Sequence, residues 1–265
     1  MYKLSVFLPT IRPHLLEEWY KSLELSCSAS FEVVFAGPFE IPEPLLRRDN
    51  VKFIKTYSHP TKSAHIAALE CEGEYIYHTT DDVLFIPDSI DQSLKLLEGL
   101  RESDIVSMRY IESKNHENKE SFPLHYWIVA NSCPHPNLNP QWNINVHFLM
   151  KRALFLEYGG FDCIFEYLTQ AGADLLIRLQ NNGSKVYHSP TDATTAHWQP
   201  EEKTHKVIAE AQLGMDYPYF NNLWFSEPWR GKIDLNNYMN YPDFWTRRFQ
   251  NKHPKTFEEL DAQTL

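Results

Sequence analysis

The chain has 265 residues, 43% hydrophobic and 23% charged, with 14% aromatics and only 9 Gly against 17 Pro, which excludes disorder and a glycine-rich repeat architecture. No window approaches the roughly 18 uninterrupted apolar residues of a membrane-spanning helix. Lys+Arg number 25 and Asp+Glu 35, so the formal net charge is −10. That sign disfavours a nucleic-acid partner or an anionic lipid surface, though a local basic patch can still hold a small phosphorylated ligand.

The first hundred residues alternate in hydrophobic period. Lys3 to Leu8 is a short apolar run ended by Pro9 and Thr10, which predicts a strand. Pro13 to Glu24 carries Leu15, Leu16, Trp19 and Leu23 at helical spacing. Further strands are predicted at 31–36, closed by Gly37-Pro38, and at 51–56. A helix over 62–70, stopped by Gly73, leads to a strand over 75–79 that runs into Asp81-Asp82. The segment 89–100 is amphipathic with Ser89 as its N-cap, and 105–108 is a fifth strand. Strands alternating with helices predict an α/β fold: a mostly parallel sheet, helices on both faces and right-handed crossovers.

The alternation then stops. Residues 112–142 are polar, rich in Pro, Asn and His, and without a period; such a stretch inside a compact domain predicts a functional loop. Asn143 to Met150 reads as a strand, Ala153 to Tyr158 as a short helix, and Asp174 to Asn182 as a helix opened by Asp174 and capped by Gly183. A strand over 185–188 and a helix over 201–211 follow, and the tail from Tyr217 places Trp224, Trp229 and Trp245 among prolines. The predicted organisation is one domain over 1–200 with a helical or irregular C-terminal extension, 201–265, packed on it. The N-terminus reads as a strand and a turn with no signal peptide. The four cysteines (Cys27, Cys71, Cys133, Cys163) lack any CxxC spacing, so reduced thiols in the cytoplasm are predicted.

Three blocks can carry chemistry. Asp81 and Asp82 lie just past the carboxyl end of a buried strand, where open α/β sheets bind ligands. Adjacent carboxylates repel unless a cation or donors offset them, and hard oxygen ligands suit Mg²⁺ or Mn²⁺ bridged to a diphosphate. For a bare Asp-Asp pair, a solvated turn is the commoner reading. The second block is GGFDCIFEYLTQAGADLLIRLQNNG, 159–183: its glycines permit an unusual turn, Glu166 precedes the helix, and Asp174 opens it, as a cap would. The third is TTAHWQP, 194–200, where His197 follows a short strand; with 12 His in the chain, one alone says little.

Taken in order, VFLPT–helix–FEVVFAG, TTDDVLF and GGFD…ADLLIRL…G resemble a GT-A glycosyltransferase of the family-two type, over about residues 3–200. The resemblance implies a Rossmann-like α/β sheet. It also implies transfer of a sugar from a nucleoside-diphosphate sugar to an acceptor hydroxyl on a glycan or other molecule, metal-assisted by Mn²⁺ or Mg²⁺ and inverting. Residue by residue, it places Pro9 and Thr10 beside the nucleotide, Asp81 on the second Asp of an Asp-x-Asp motif, and Asp82 on the acidic residue after it. Thr79 stands where the first Asp is expected, and Ala36-Gly37-Pro38 replaces an acidic pair. His197 falls where many such enzymes hold the metal, giving Asp82, Asp81 and His197 as the implied ligands. The Glu-Asp pair expected near the later helix falls on Ala171-Gly172, which leaves Asp174 or Glu166 as the base; the register of Asp174 four before Arg178 favours Asp174, with its carboxylate toward the sugar's reacting carbon.

An inverting transfer needs a carboxylate to take the acceptor proton. Lys62 is a candidate phosphate contact, and Tyr126 and Trp127 are candidates for stacking on an acceptor sugar. Two rival functions stand beside this one. A nucleotidyltransferase would show an N-terminal Gly-rich phosphate loop, and LPTIRPHL contains no glycine. A catalytically degenerate nucleotide- or sugar-binding protein fits the departures at Thr79 and Ala171-Gly172.

Overall fold

A computed structural model describes residues 2–112, 120–122, 125–128, 141–196, 203–226 and 230–249. The N-terminal half contains β1 (Leu4–Pro9), α1 (Leu16–Ser26), β2 (Phe31–Gly37), α2 (Glu43–Leu46), β3 (Val51–Lys55), α3 (Pro60–Leu69), β4 (Tyr75–His78), β5 (Val83–Phe85) and α4 (Ser89–Glu98). Then follow β6 (Ile105–Ser107), β7 (Tyr110–Glu112), β8 (Glu120–Phe122), β9 (His125–Ile128), β10 (Gln141–Ile144) and β11 (Phe148–Lys151). The remainder is α5 (Arg152–Glu157), α6 (Leu168–Asn181), β12 (Val186–His188), β13 (Thr194–Ala196), α7 (Lys203–Ala211), α8 (Tyr217–Ser226) and α9 (Thr246–Phe249).

Among the described residues, seven strands form the main sheet in the order β12-β6-β11-β4-β1-β2-β3. All neighbours pair in parallel except β11, which runs antiparallel to β4 and β6. A four-stranded sheet, β5-β13-β7-β8, and a β10–β9 pair lie beside it. Both faces of the main sheet are covered, and the period of two in its strands is why. Leu4, Val6 and Leu8 of β1, with Val33 and Phe35 of β2, join one core with Leu16, Trp19 and Leu23 of α1 and Ile90, Leu94 and Leu97 of α4. The alternate residues Phe7, Val34 and Ala36 join the other core, with Ala64, Ala67 and Ala68 of α3, the apolar stripe of α6, and Phe220 and Trp224 of α8. No helix among the described residues is long and apolar enough to cross a membrane.

Four elements differ from the sequence reading. Ser89 is the first residue of α4 and not its cap; left-handed Asp88 (φ 62°) precedes it, and the Ser89 hydroxyl bonds to Ala193 O at 3.0 Å. The 112–142 stretch is not a single loop, since β8 and β9 lie in it. The strand expected over 143–150 is two, β10 and β11, because 145–147 turn aside at the end of the main sheet. Most consequentially, α6 begins at Leu168, so Asp174 lies within the helix and opens nothing.

The double glycine has a steric cause. Gly159 and Gly160 both have positive φ, 81° and 63°, and a Cβ at Gly159 would stand 2.2 Å from Ile233 O. The C-terminal segment therefore packs directly on this turn.

Candidate active site

The carboxyl ends of β1, β2 and β4 meet at a cavity of about 140 Å³. It is lined by the loop Pro9–Arg12, by Ala36-Gly37-Pro38, and by Thr80, Asp81 and Asp82, with Tyr57, Ser58, Pro60 and Ser63 from the β3–α3 connection. Thr10 and Gly37 are in close backbone contact: a Cβ on Gly37 would lie 1.9 Å from Thr10 O, so only glycine allows the two strand ends to meet here.

Asp81 organises this loop. Its Oδ2 accepts from Thr10 Oγ1 at 3.1 Å, from the Ile11 amide at 2.9 Å and from the Arg12 amide at 3.1 Å, and its Oδ1 accepts from the Arg12 guanidinium. Burial pushes the Asp81 carboxyl above its ordinary pKa, and the Arg12 charge opposes that push. Asp82 is about one-third exposed, with Oδ2 3.5 Å from Arg12 Nη1. Thr79 is buried, and its hydroxyl is 3.1 Å from His147 Nδ1. His147 is itself buried and held near pKa 4 by desolvation.

Asp81 offers a cation no open oxygen. A divalent ion on Asp81 would have to displace a guanidinium from Oδ1 and compete with three donors at Oδ2. Among the described residues, no three His, Cys, Asp or Glu side chains come together around a common point. His197 lies outside the described residues.

The remaining candidates separate. Lys62 is buried, and its Nζ donates to Asp243 Oδ1 and Tyr241 O, each at 2.6 Å; it fastens the C-terminal segment, which accounts for its charge without a phosphate. Asp174 has no exposed surface: Oδ2 accepts from Arg178 Nε at 2.8 Å and Oδ1 from Arg230 Nη1 at 2.9 Å. The sequence reading aims this carboxylate at the sugar; the earlier start of α6 instead turns it into a buried ion network with Arg178, Arg230 and Asp162. Glu166 lies on the segment before α6, 17% exposed in its side chain, and its Oε2 accepts from Trp245 Nε1 at 2.8 Å and Arg247 Nε at 2.7 Å. Tyr126 and Trp127 are on β9, paired in register with Asn143 and Trp142 of β10, and their side chains lie outside the described part.

Several site residues carry no signal in the sequence. Tyr167 and Leu168 at the start of α6, Ile208 of α7, and Trp245 and Arg248 of the C-terminal segment all line the cavity. Asp216 caps the segment leading into α6, accepting from the Glu166 amide at 3.1 Å and the Tyr167 amide at 2.6 Å; burial raises its pKa to about 6. A second cavity, about 230 Å³, lies on the other side of the α6 start between Tyr110, the 144–146 turn, Thr169, Gln170 and Ala173. Gln170 is buried, and among the described residues its Oε1 has no hydrogen-bond partner.

No protein-family model and no curated protein matches the chain. In fold it is similar to S. aureus TarS. The TarS 1-349 structure superposes with a TM-score of 0.55 at 16% identity, over 84% of this chain and 74% of that one. The same fragment in complex with UDP gives 0.54 at 17%, over 84% and 72%. In complex with UDP-GlcNAc it gives 0.51 at 15%, over 96% and 76%. Against the longer TarS structure, this chain spans 46% of the length. The mixed α/β architecture with its mostly parallel seven-stranded sheet is the GT-A fold of TarS.

Proposed function

We propose that the protein is a glycosyltransferase that moves a sugar from a nucleoside-diphosphate donor to an acceptor hydroxyl with inversion. The observation that carries this reading is the cavity at the carboxyl ends of β1, β2 and β4, lined by the loops that follow them. The fold likeness to TarS, whose structures include complexes with UDP and UDP-GlcNAc, supports a uridine nucleotide as the donor's carrier. Pro9, Thr10 and Gly37 form the nucleotide side in this reading. The acceptor takes the neighbouring cavity, where Gln170 Oε1 is ready to accept from a sugar hydroxyl and Tyr110 supplies an aromatic wall. Tyr126 and Trp127 remain further candidates for contact with the acceptor. The three described cysteines, buried and free, support the cytoplasmic location in the same reading.

In the transfer, the acceptor oxygen bonds to the anomeric carbon as the bond from that carbon to the diphosphate oxygen breaks. The bonding pair leaves with the nucleoside diphosphate, and the acceptor proton passes to a carboxylate. Glu166 suits that role better than Asp174. It directly precedes the cavity-lining Tyr167 and Leu168, and both of its bonds fall on Oε2, whereas each oxygen of Asp174 already carries a guanidinium. The cation that the resemblance implies is left out of this scheme, because Asp81 is already bonded on both oxygens.

A second reading, nucleotide-sugar binding without turnover, is favoured by the burial of Asp174. Release of nucleoside diphosphate from UDP-, GDP- and dTDP-sugars, with and without Mn²⁺, decides between the two. Turnover with one donor class that falls about 10²–10⁴-fold in Glu166→Gln supports the transferase. Donor binding with no release under any condition supports the binding protein. Formation of an NDP-sugar from a sugar phosphate and a nucleoside triphosphate would instead mark a nucleotidyltransferase.

A further inference from the structure

The larger cavity, about 230 Å³, has a wall of uncharged side chains. Tyr110 opens β7, Ile144 ends β10, Asn145 and Val146 form the turn that follows, and Thr169, Gln170 and Ala173 stand on the first turns of α6. Among the described residues, no Asp, Glu, Lys, Arg or His lines it. Asn145 is held by the fold: its Nδ2 donates to Ser107 Oγ at 2.9 Å and Met108 O at 3.0 Å, and its Oδ1 accepts from the His147 amide at 3.1 Å.

Gln170 differs from its neighbours. It is 2% exposed, yet among the described residues its Oε1 accepts from nothing and its Nε2 donates to nothing. Gln180, further along the same helix, has both ends of its amide bonded: Oε1 accepts from the Asn143 amide at 3.0 Å, and Nε2 donates to Asn143 O and Leu176 O, each at 2.9 Å. A buried amide left unbonded is costly, so the two open ends of Gln170 mark a partner that the chain itself does not supply.

The amide presents an acceptor and a donor side by side. An anion offers acceptor oxygens alone. It would set its charge against the Oε1 lone pairs, in a cavity whose described walls hold no cation to offset burial. The start of α6 supplies only about half a positive charge, and the Asp216 carboxylate already sits against the amides just before it. Adjacent hydroxyls of a sugar ring satisfy both ends at once: one donates to Oε1, its neighbour accepts from Nε2, and no charge is buried.

We propose that Gln170 selects the acceptor by reading two neighbouring hydroxyls of an uncharged sugar ring, one at each end of its side-chain amide. This rests on the acceptor-site reading above and names the substrate class and the residue that distinguishes it.

Ligand-observed NMR titration of the intact chain tests it, with the methyl glycosides of glucose, galactose and mannose, with inorganic phosphate, and with UDP in parallel. At least one glycoside is expected to bind, and to weaken by about tenfold or more when either of two adjacent ring hydroxyls is replaced by hydrogen. In Gln170→Leu that glycoside is expected to weaken by about tenfold or more, while the melting temperature does not fall, because the fold makes no bond with this amide. A glycoside that binds Gln170→Leu as tightly as wild type overturns the inference, as does phosphate binding that Gln170→Leu weakens. Deoxy analogues that lose nothing at any adjacent pair of positions overturn it without recourse to the variant. Binding of UDP with none of the three glycosides overturns it and leaves the donor site standing. Glycoside binding with the expected losses but no binding of UDP removes the uridine-donor reading and leaves Gln170 as the reader of a sugar.

Discussion

Asp81 and Asp174 look alike in the sequence, a carboxylate beside a regular element, yet their surroundings differ in what they can do. Asp81 faces the cavity and gathers four donors from the β1 loop, whereas Asp174 is enclosed between Arg178 and Arg230 with no exposure. Arg178 has no exposed surface either; it also donates to Tyr158 O and Gly160 O, both at 2.6 Å, so it fixes the double-glycine turn. Removing one member of such a network leaves a buried charge without its partner. Asp174→Ala is therefore expected to lower stability by about 3–5 kcal/mol in chemical denaturation, well beyond the ~1 kcal/mol of a lost helix cap. A loss near 1 kcal/mol would show that Arg178 and Arg230 find other partners. The sequence marks Asp81 and Asp82 because they follow a buried strand directly. Their partner Arg12 is 69 positions from Asp81, and nothing local in IRPH announces it.

At the scale of elements, the α/β alternation through β6 is legible because each strand is a short β-branched or aromatic run and each helix has one apolar stripe. The start of α6 is not legible, because its cause is remote. The N-cap position is Tyr167, whose side chain makes no capping bond, and Asp216, some fifty positions later in sequence, supplies the acceptor for the amides of Glu166 and Tyr167. Gly172 is a helix residue here, and a Cβ on it would meet Val146 Cα at 3.7 Å and Asn145 O at 3.8 Å, ordinary contacts. Gly172→Ala is expected to raise stability by about 0.5–1 kcal/mol, since it removes unfolded-state freedom from a helical position without a clash. A melting temperature below wild type would mean that the 144–146 turn has no room to spare. The short strands β8 and β9 are illegible for a related reason: they are three and four residues long, and pairing with β7 and β10, not their own composition, defines them.

For the molecule as a whole, four buried histidines among the described residues are held neutral by desolvation. Desolvation lowers His59, His65 and His147 to about 4 and His78 to about 3, against an ordinary value of 6.5. The folded state then binds fewer protons than the unfolded one between these values, so their contribution is complete above pH 6.5 and is lost as pH falls toward 4. Asp216, raised to about 6 from 3.8, acts in the opposite sense across the same interval, one group against four. Stability is expected to fall by about 4 kcal/mol per pH unit near pH 5 from these groups, measured by urea unfolding between pH 7 and 4.5. A flat profile there would mean that the histidines are protonated in the folded chain. Both cores follow from hydrophobic period, but the order of the strands does not, and the enclosure of the cavity depends on a tail whose tryptophans and prolines have no period. The account as a whole rests on where a nucleotide binds. Hydrogen exchange with and without UDP, followed by mass spectrometry, addresses that directly: protection is expected in peptides covering Ile11-Arg12, Gly37, the 57–63 connection and Trp245–Arg248. Protection absent from these peptides at saturating UDP, or confined to other parts of the fold, would contradict it.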